Sequence, residues 1–149
     1  MKIEEEIKQK QFGSPQEKAV VNLMYTYNWL KDRRSVFLKE YDLSNQQFNV
    51  LRILRGQYPN PASVKLIIER MLDKSSNASR LVDKLLAKGL VDRTSCPNDR
   101  RQVDVVINQK GLDLIQKASE SGAKQLEKLG ISAKESELLS DLLDKLRKI

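Results

Sequence analysis

The sequence predicts a mostly α-helical fold with a small antiparallel β-wing (α+β), a winged helix-turn-helix lobe plus a helical dimerisation region. Three observations carry this. The stretch Ser76 to Gly111 reads as a short amphipathic helix closed by a glycine, then a strand, a basic loop and a second strand. Another short helix precedes it across a turn at Asp73-Lys74-Ser75, which makes a helix-turn-helix. The last helix repeats leucine at 138, 139, 142, 143 and 146, and a chain end that apolar needs a packing partner.

Each element has a local cause. Ser14-Pro15-Gln16-Glu17 offers an N-cap, a proline at the first helical position and a glutamate three residues after the cap, so the first helix begins at Pro15 and runs to about Leu38. Val20, Leu23, Met24, Tyr27 and Leu30 share one of its faces and Val21, Tyr25, Trp29 and Val36 another, so two surfaces are expected to touch it, one of which a second chain could supply. The capping box Ser44-Asn45-Gln46-Gln47 opens a helix that buries Phe48, Leu51 and Leu54 and stops at Gly56. Tyr58-Pro59-Asn60-Pro61 then breaks the chain. Asn60 is the next cap and Pro61 the first position of a helix to roughly Leu72, with Val64, Ile67, Ile68 and Met71 inward.

From Asn77 to Gly89 the residues Ala78, Leu81, Val82, Leu85 and Leu86 fall on one face, and Ser76, Arg80, Asp83 and Lys84 on the other. Gly89 supplies a left-handed stop, Val91 to Ser95 extend, Pro97-Asn98-Asp99-Arg100 turn, and Val103 to Ile107 return antiparallel. Asn108 caps a helix whose stripe is Leu112, Ile115, Leu126 and Leu129, ending at Gly130. A third capping box, Ser132-Ala133-Lys134-Glu135, opens the final helix, which ends on Ile149.

At 149 residues the chain fits a single domain, 1–149, long enough to bury a core without metal or disulfide. Its 27 Lys+Arg against 20 Asp+Glu favour a polyanionic partner, with simple solubility as the alternative. Location helps to decide. Lys74 to Arg101 holds seven basic residues against three acidic ones, whereas the flanks are nearer to balanced. No apolar run is long enough to cross a bilayer, and MKIEEEIKQK lacks the features of a secretory signal, so a cytoplasmic protein without membrane association is expected. With a single cysteine, Cys96, and no histidine, neither an intrachain disulfide nor a zinc site is expected, and no cofactor is. The missing histidine also removes the usual base for nucleophilic catalysis, and no Gly-rich phosphate loop is present, so an enzyme is not expected.

A helix with one packed face and one polar face, followed by a basic wing, suits double-stranded DNA: the helix fits the major groove while the loop reaches phosphates or the minor groove. Arg80 can read guanine bidentately or meet a phosphate; Ser76, Asn77 and Ser79 can bond bases or serve as caps, with Asn77 the best DNA candidate of the three. Lys84 and Lys88 suit phosphates. Arg101 is placed for the minor groove with Asp99 orienting it as an ion pair, and Arg100 for the backbone. The aromatics Tyr25, Tyr27, Trp29 and Phe48 either line an effector cleft or are ordinary core and interface residues. Cys96 reads as an incidental thiol rather than a redox sensor. The rival to DNA binding is a winged-helix module that uses the same face for protein contacts.

From Ser14 to Leu146 the chain resembles the MarR family of bacterial transcriptional regulators. The resemblance rests on NASRLVDKLLAKGLVDR, on the wing PNDRRQVDVVI with Asp99 and Arg101 in the family's Asp-x-Arg arrangement, and on Gly111 after the strand. It implies a homodimer joined through 14–40 and 108–149, with 44–107 as the DNA-binding lobe, reading a pseudo-palindromic operator as a ligand-responsive repressor. It also implies a small aromatic or phenolic effector in a cleft between the two regions. The chain departs from the family pattern at Ile67, where an alanine is common, and at Leu72-Asp73, where a glycine and a valine are usual.

Overall fold

The computed structural model describes residues 1–95 and 103–148. The wing turn lies outside them, and with it the expectations for Cys96, Asp99, Arg100 and Arg101. The elements run α1 (Ile3–Glu6), α2 (Pro15–Lys39), α3 (Asn45–Gln57), β1 (Ala62–Ser63), α4 (Val64–Arg70), α5 (Ala78–Ala87), β2 (Val91–Ser95), β3 (Val103–Ile107), α6 (Gln109–Leu126) and α7 (Ala133–Leu146). They divide into two compact units, Met1–Ala118 and Ser119–Ile149, with the boundary inside α6.

All six expected helices and the hairpin are present and, the third helix apart, their caps are the ones the side chains dictate. Ser14 Oγ accepts from Glu17 N at 3.1 Å. Ser44 and Gln47 form the reciprocal box at the start of α3, and Ser132 and Glu135 the one at the start of α7. Ser132 donates to Glu135 through both its amide and its hydroxyl, which holds the Glu135 carboxyl below its ordinary value. Gly89 takes a left-handed φ of +66°, the conformation its place after α5 requires.

Five boundaries differ from the sequence expectation, one of them the end of the last helix, at Leu146 rather than Ile149. The third helix begins at Val64 rather than Pro61, and Ser63 instead of Asn60 caps it, accepting from Leu66 N at 3.1 Å. Ala62 and Ser63 are drawn into extended pairing with Val105 and Asp104, giving a three-stranded sheet in the order β1-β3-β2. Ala62 is buried there, so burial and sheet bonds prevail over a local cap. That helix ends at Arg70 with Ile68 40% exposed, so its inward residues are Ile67 and Met71 with Val64 and Leu66 half-buried. Gly56 does not stop α3, which continues to Gln57. The helix after the wing ends at Leu126, and the next turn tightens to three-residue hydrogen bonds such as Leu129 N to Leu126 O at 3.0 Å. Leu126 is 64% exposed and leaves the stripe; Gly111, Ile115 and Ala118 are the buried positions.

The core of the first unit gathers Phe37 and Leu38 of α2, Val50, Leu51 and Leu54 of α3, Ile67, Val82 and Leu85, and Val91, Val105 and Ile107 of the sheet, with Ile115 of α6. Gly111 is built into it at close quarters. A Cβ there would stand 2.1 Å from Leu90 O and 2.7 Å from Ile107 Cγ1, so only glycine lets α6 leave the sheet at this point. In the second unit α7 buries no residue.

Candidate nucleic-acid interface

The interface is organised by α5. Its buried face is Ala78, Val82 and Leu85, with Leu81 and Leu86 half-buried beside them, as the helical period requires. Ser79, Arg80, Asp83 and Lys84 are exposed on the other side. Arg80 and Lys84 make no ion pair among the described residues. Two cations and a hydroxyl thus stand on a helix whose opposite side is fixed in the core.

The other small polar residues at the start of α5 have structural duties. Asn77 is the N-cap: its Oδ1 accepts from Arg80 N at 3.0 Å. The Ser76 hydroxyl is withdrawn from solvent, so it is not presented for base reading in this chain. The turn before them is held by Asp73, whose carboxylate accepts from Ser75 Oγ at 2.6 Å and Ser75 N at 3.0 Å. Ser75, then Ser76 and the charge of Lys31, keep that carboxyl below its ordinary value. Leu72 N donates to Asn49 Oδ1 of α3 at 2.9 Å, and Lys74 Nζ donates to the last carbonyls of α4, Ile68 O and Glu69 O. These contacts replace the glycine that the resemblance leads one to expect at the turn.

Three of the five described cations between 74 and 101 are engaged within the lobe. Besides Lys74, Arg93 on β2 pairs with Asp83 on α5, and Lys88 with Asp42 Oδ2 at 3.0 Å. Lys88 also donates to Asp42 O and lies 3.4 Å from Gln47 Oε1. The expected phosphate contact by Lys88 therefore competes with a position already occupied between α5 and the start of α3. The Arg93 pair joins two exposed groups, so it aligns the wing base with the helix more than it stabilises either. Neither engagement was legible in the sequence, because Lys88 meets a residue 46 positions away and Arg93 one on a different element.

Asn108 fulfils its expected cap, its Oδ1 accepting from Gly111 N at 3.0 Å. Its Nδ2 meanwhile donates to Gly89 O at 3.1 Å, tying the stop of α5 to the root of the wing.

The four aromatics proposed for an effector cleft are not gathered into one. Phe48 is buried in the core under Arg34, whose guanidinium carbon lies 4.9 Å from its ring centre. Burial, with the neighbouring charge of Arg52, lowers the Arg34 pKa. Tyr25 donates to Glu6 Oε2 of α1 at 2.7 Å, Trp29 carries Arg33 over its ring at 4.8 Å, and Tyr27 projects from a different side of α2. Helical period separates Tyr27 from Tyr25 and Trp29, and the hydrophobic core takes Phe48.

Comparison with known proteins agrees with this geometry. Residues 41–102 match the MarR family. A solved MarR transcription factor from Planctomyces limnophilus is 31% identical, with a TM-score of 0.69 over 91% of this chain and 95% of that one. The chain belongs to the MarR family. It is a MarR-family transcriptional regulator, a DNA-binding protein with the winged-helix fold of that family. The regulator MhqR of Bacillus subtilis (strain 168) is 26% identical over 128 residues, 85% of this chain and 87% of its own length. MepR of S. aureus, solved as a complex with DNA, shares the fold at a TM-score of 0.73 and 19% identity, over 83% of this chain and 91% of its own.

Proposed function

We propose that this MarR-family regulator is a homodimeric repressor that reads a pseudo-palindromic operator and is released by a small effector, for which the resemblance implies an aromatic or phenolic class. The observation that carries the DNA-reading part is the division of α5: Ala78, Val82 and Leu85 lock it into the core while Ser79, Arg80 and Lys84 stand outside. In this reading Arg80 addresses a base edge in the major groove, Ser79 and Lys84 the base edges and phosphates beside it, and the wing residues Arg100 and Arg101, with Asp99, the backbone and minor groove. Asn77 acts chiefly through the cap it makes. MepR of S. aureus, solved as a complex with DNA, shares this fold, which supports DNA as the ligand. The homodimer is supported by the apolar residues exposed along α2 and α7, including Leu23, Met24, Trp29, Leu138 and Leu142.

Selection of bound sequences from a random DNA pool, followed by gel shift, tests the reading. The expected product is two inverted half-sites with centres about 10 bp apart, and an affinity that falls steeply with salt. Binding with no sequence preference and a flat salt dependence would instead favour the protein-contact module. Arg101→Ala is expected to weaken operator binding by about 1–3 kcal/mol per half-site, with lost discrimination confined to A·T-rich positions under the wings.

A further inference from the structure

We propose that the cavity between the end of α2, the α2–α3 turn and the first turn of α3 binds a small phosphate-bearing anion, and that α5 senses the occupant through Lys88. The regulatory half of this inference rests on the DNA-reading role of α5; the binding half does not.

The cavity has a volume of about 470 Å³, within the size range of small-ligand sites. Three lysines reach it, Lys31, Lys39 and Lys88, against one carboxylate, Asp42. Lys31, Ser35 and Lys39 recur every four residues, so they form one stripe along α2 facing the start of α3. Ser35 Oγ accepts from Asn45 Nδ2 at 2.6 Å, and Lys31 O accepts from the same group at 3.3 Å, which fixes that face against α3. The capping box satisfies Gln47 N and Ser44 N, while the amides of Asn45 and Gln46 have no carbonyl ahead of them in the helix. The positive end of a 13-residue helix therefore adds to the charge of the lysines that line the cavity. None of Tyr25, Tyr27, Trp29 and Phe48 lines it, so its chemistry is that of an anion rather than an aromatic ring.

Lys88 connects this cavity to the interface. It is the C-cap residue of α5, and its ammonium is shared between Asp42 and Gln47 at the cavity edge. Asp42 is held there in a left-handed conformation, φ +52°, by the turn that closes α2. An anion entering the cavity competes with the Asp42 carboxylate for Lys88 and places negative charge beside the helix that meets DNA phosphates. The added negative charge lowers DNA affinity, and by linkage DNA lowers anion affinity by the same factor.

Inorganic pyrophosphate titrated calorimetrically into the full chain tests the site without DNA. The expected result is one saturable site per chain, weakened at least about tenfold in Lys31→Gln/Lys39→Gln with no change in melting temperature, and unaltered in Lys134→Gln, which removes a charge on α7. In gel shifts, pyrophosphate is expected to weaken operator binding by the wild type and not by the double variant. Absence of saturable binding, or equal weakening by Lys134→Gln, would overturn the proposal. So would loss of DNA binding itself in the double variant, since these lysines would then hold the DNA backbone. A wild type that binds pyrophosphate but no DNA would remove the DNA-reading role and leave the cavity assignment standing.

Discussion

Helices α5 and α7 carry similar apolar stripes and meet opposite fates. In α5 the stripe is covered within the chain: Ala78, Val82 and Leu85 are buried and the core closes over them. In α7 the leucines at 138, 139, 142 and 146 remain 48–59% exposed, and no residue of the helix is buried. Amphipathic pattern therefore specifies that a face will be covered but not by what. For α5 the cover is α3, α4 and the sheet; for α7 the proposed cover is a second copy of the chain.

The largest effect that would break this comparison is on assembly. Leu142→Asp with Leu146→Asp is expected to abolish the dimer in sedimentation and, with it, high-affinity operator binding; a double variant that stays dimeric would show that α7 is not the intersubunit surface. Next in size is Gly111→Ala. Its Cβ has no room against Leu90 O, so a loss of about 3 kcal/mol and a drop in melting temperature of roughly 10 °C are expected by calorimetry.

The two faces of α5 can be separated in the same way. Leu85→Ala is expected to cost about 2–5 kcal/mol of stability. Arg80→Ala is expected to leave stability within about 0.5 kcal/mol while weakening operator binding by about 1–3 kcal/mol at one base pair per half-site. Asn77 sharpens the distinction further. Asn77→Ala is expected to cost about 1 kcal/mol of stability through the lost cap, whereas Asn77→Asp restores it; equal DNA affinity in Asp and Asn forms, after correction for salt, would show a cap alone.

The smallest effect is on pH dependence. Glu135 is held below its ordinary value of 4.5 by Ser132, and Glu4 by Lys18. A carboxylate whose folded pKa is depressed contributes stability that is fully present above its unfolded value and lost as pH falls through the folded one. The capping contribution of Glu135 should thus be constant from neutral pH to just above 4.5 and fade below it. Glu135→Gln is expected to remove that part of the acid limb in a melting-temperature profile, and Ser132→Ala, which keeps the amide donor, only to reduce it.

Much of the fold was legible because its signals are local. Ser14, Ser44, Asn77, Asn108 and Ser132 all cap where the side-chain chemistry places them, and the buried face of α5 follows its helical period. The boundaries that moved did so under non-local forces. Asn60 and Pro61 make a competent helix start, but Ala62 has a sheet partner and a buried site available, and pairing with Val105 prevails.

The same division holds for the candidate site. Local pattern alone sets which face of α5 is polar, that Gly89 ends it, and that a hairpin follows, because helical period, left-handed glycine and strand alternation each act within a few residues. Which of the lobe's cations stay unpaired depends on packing between elements. Lys88 meets Asp42 across 46 residues, and Arg93 meets Asp83 from a different element. Pairings between charges on different elements depend on how the elements pack, which no local pattern encodes, so the chain spells out an amphipathic helix and packing selects the cations that stay unpaired among the described residues.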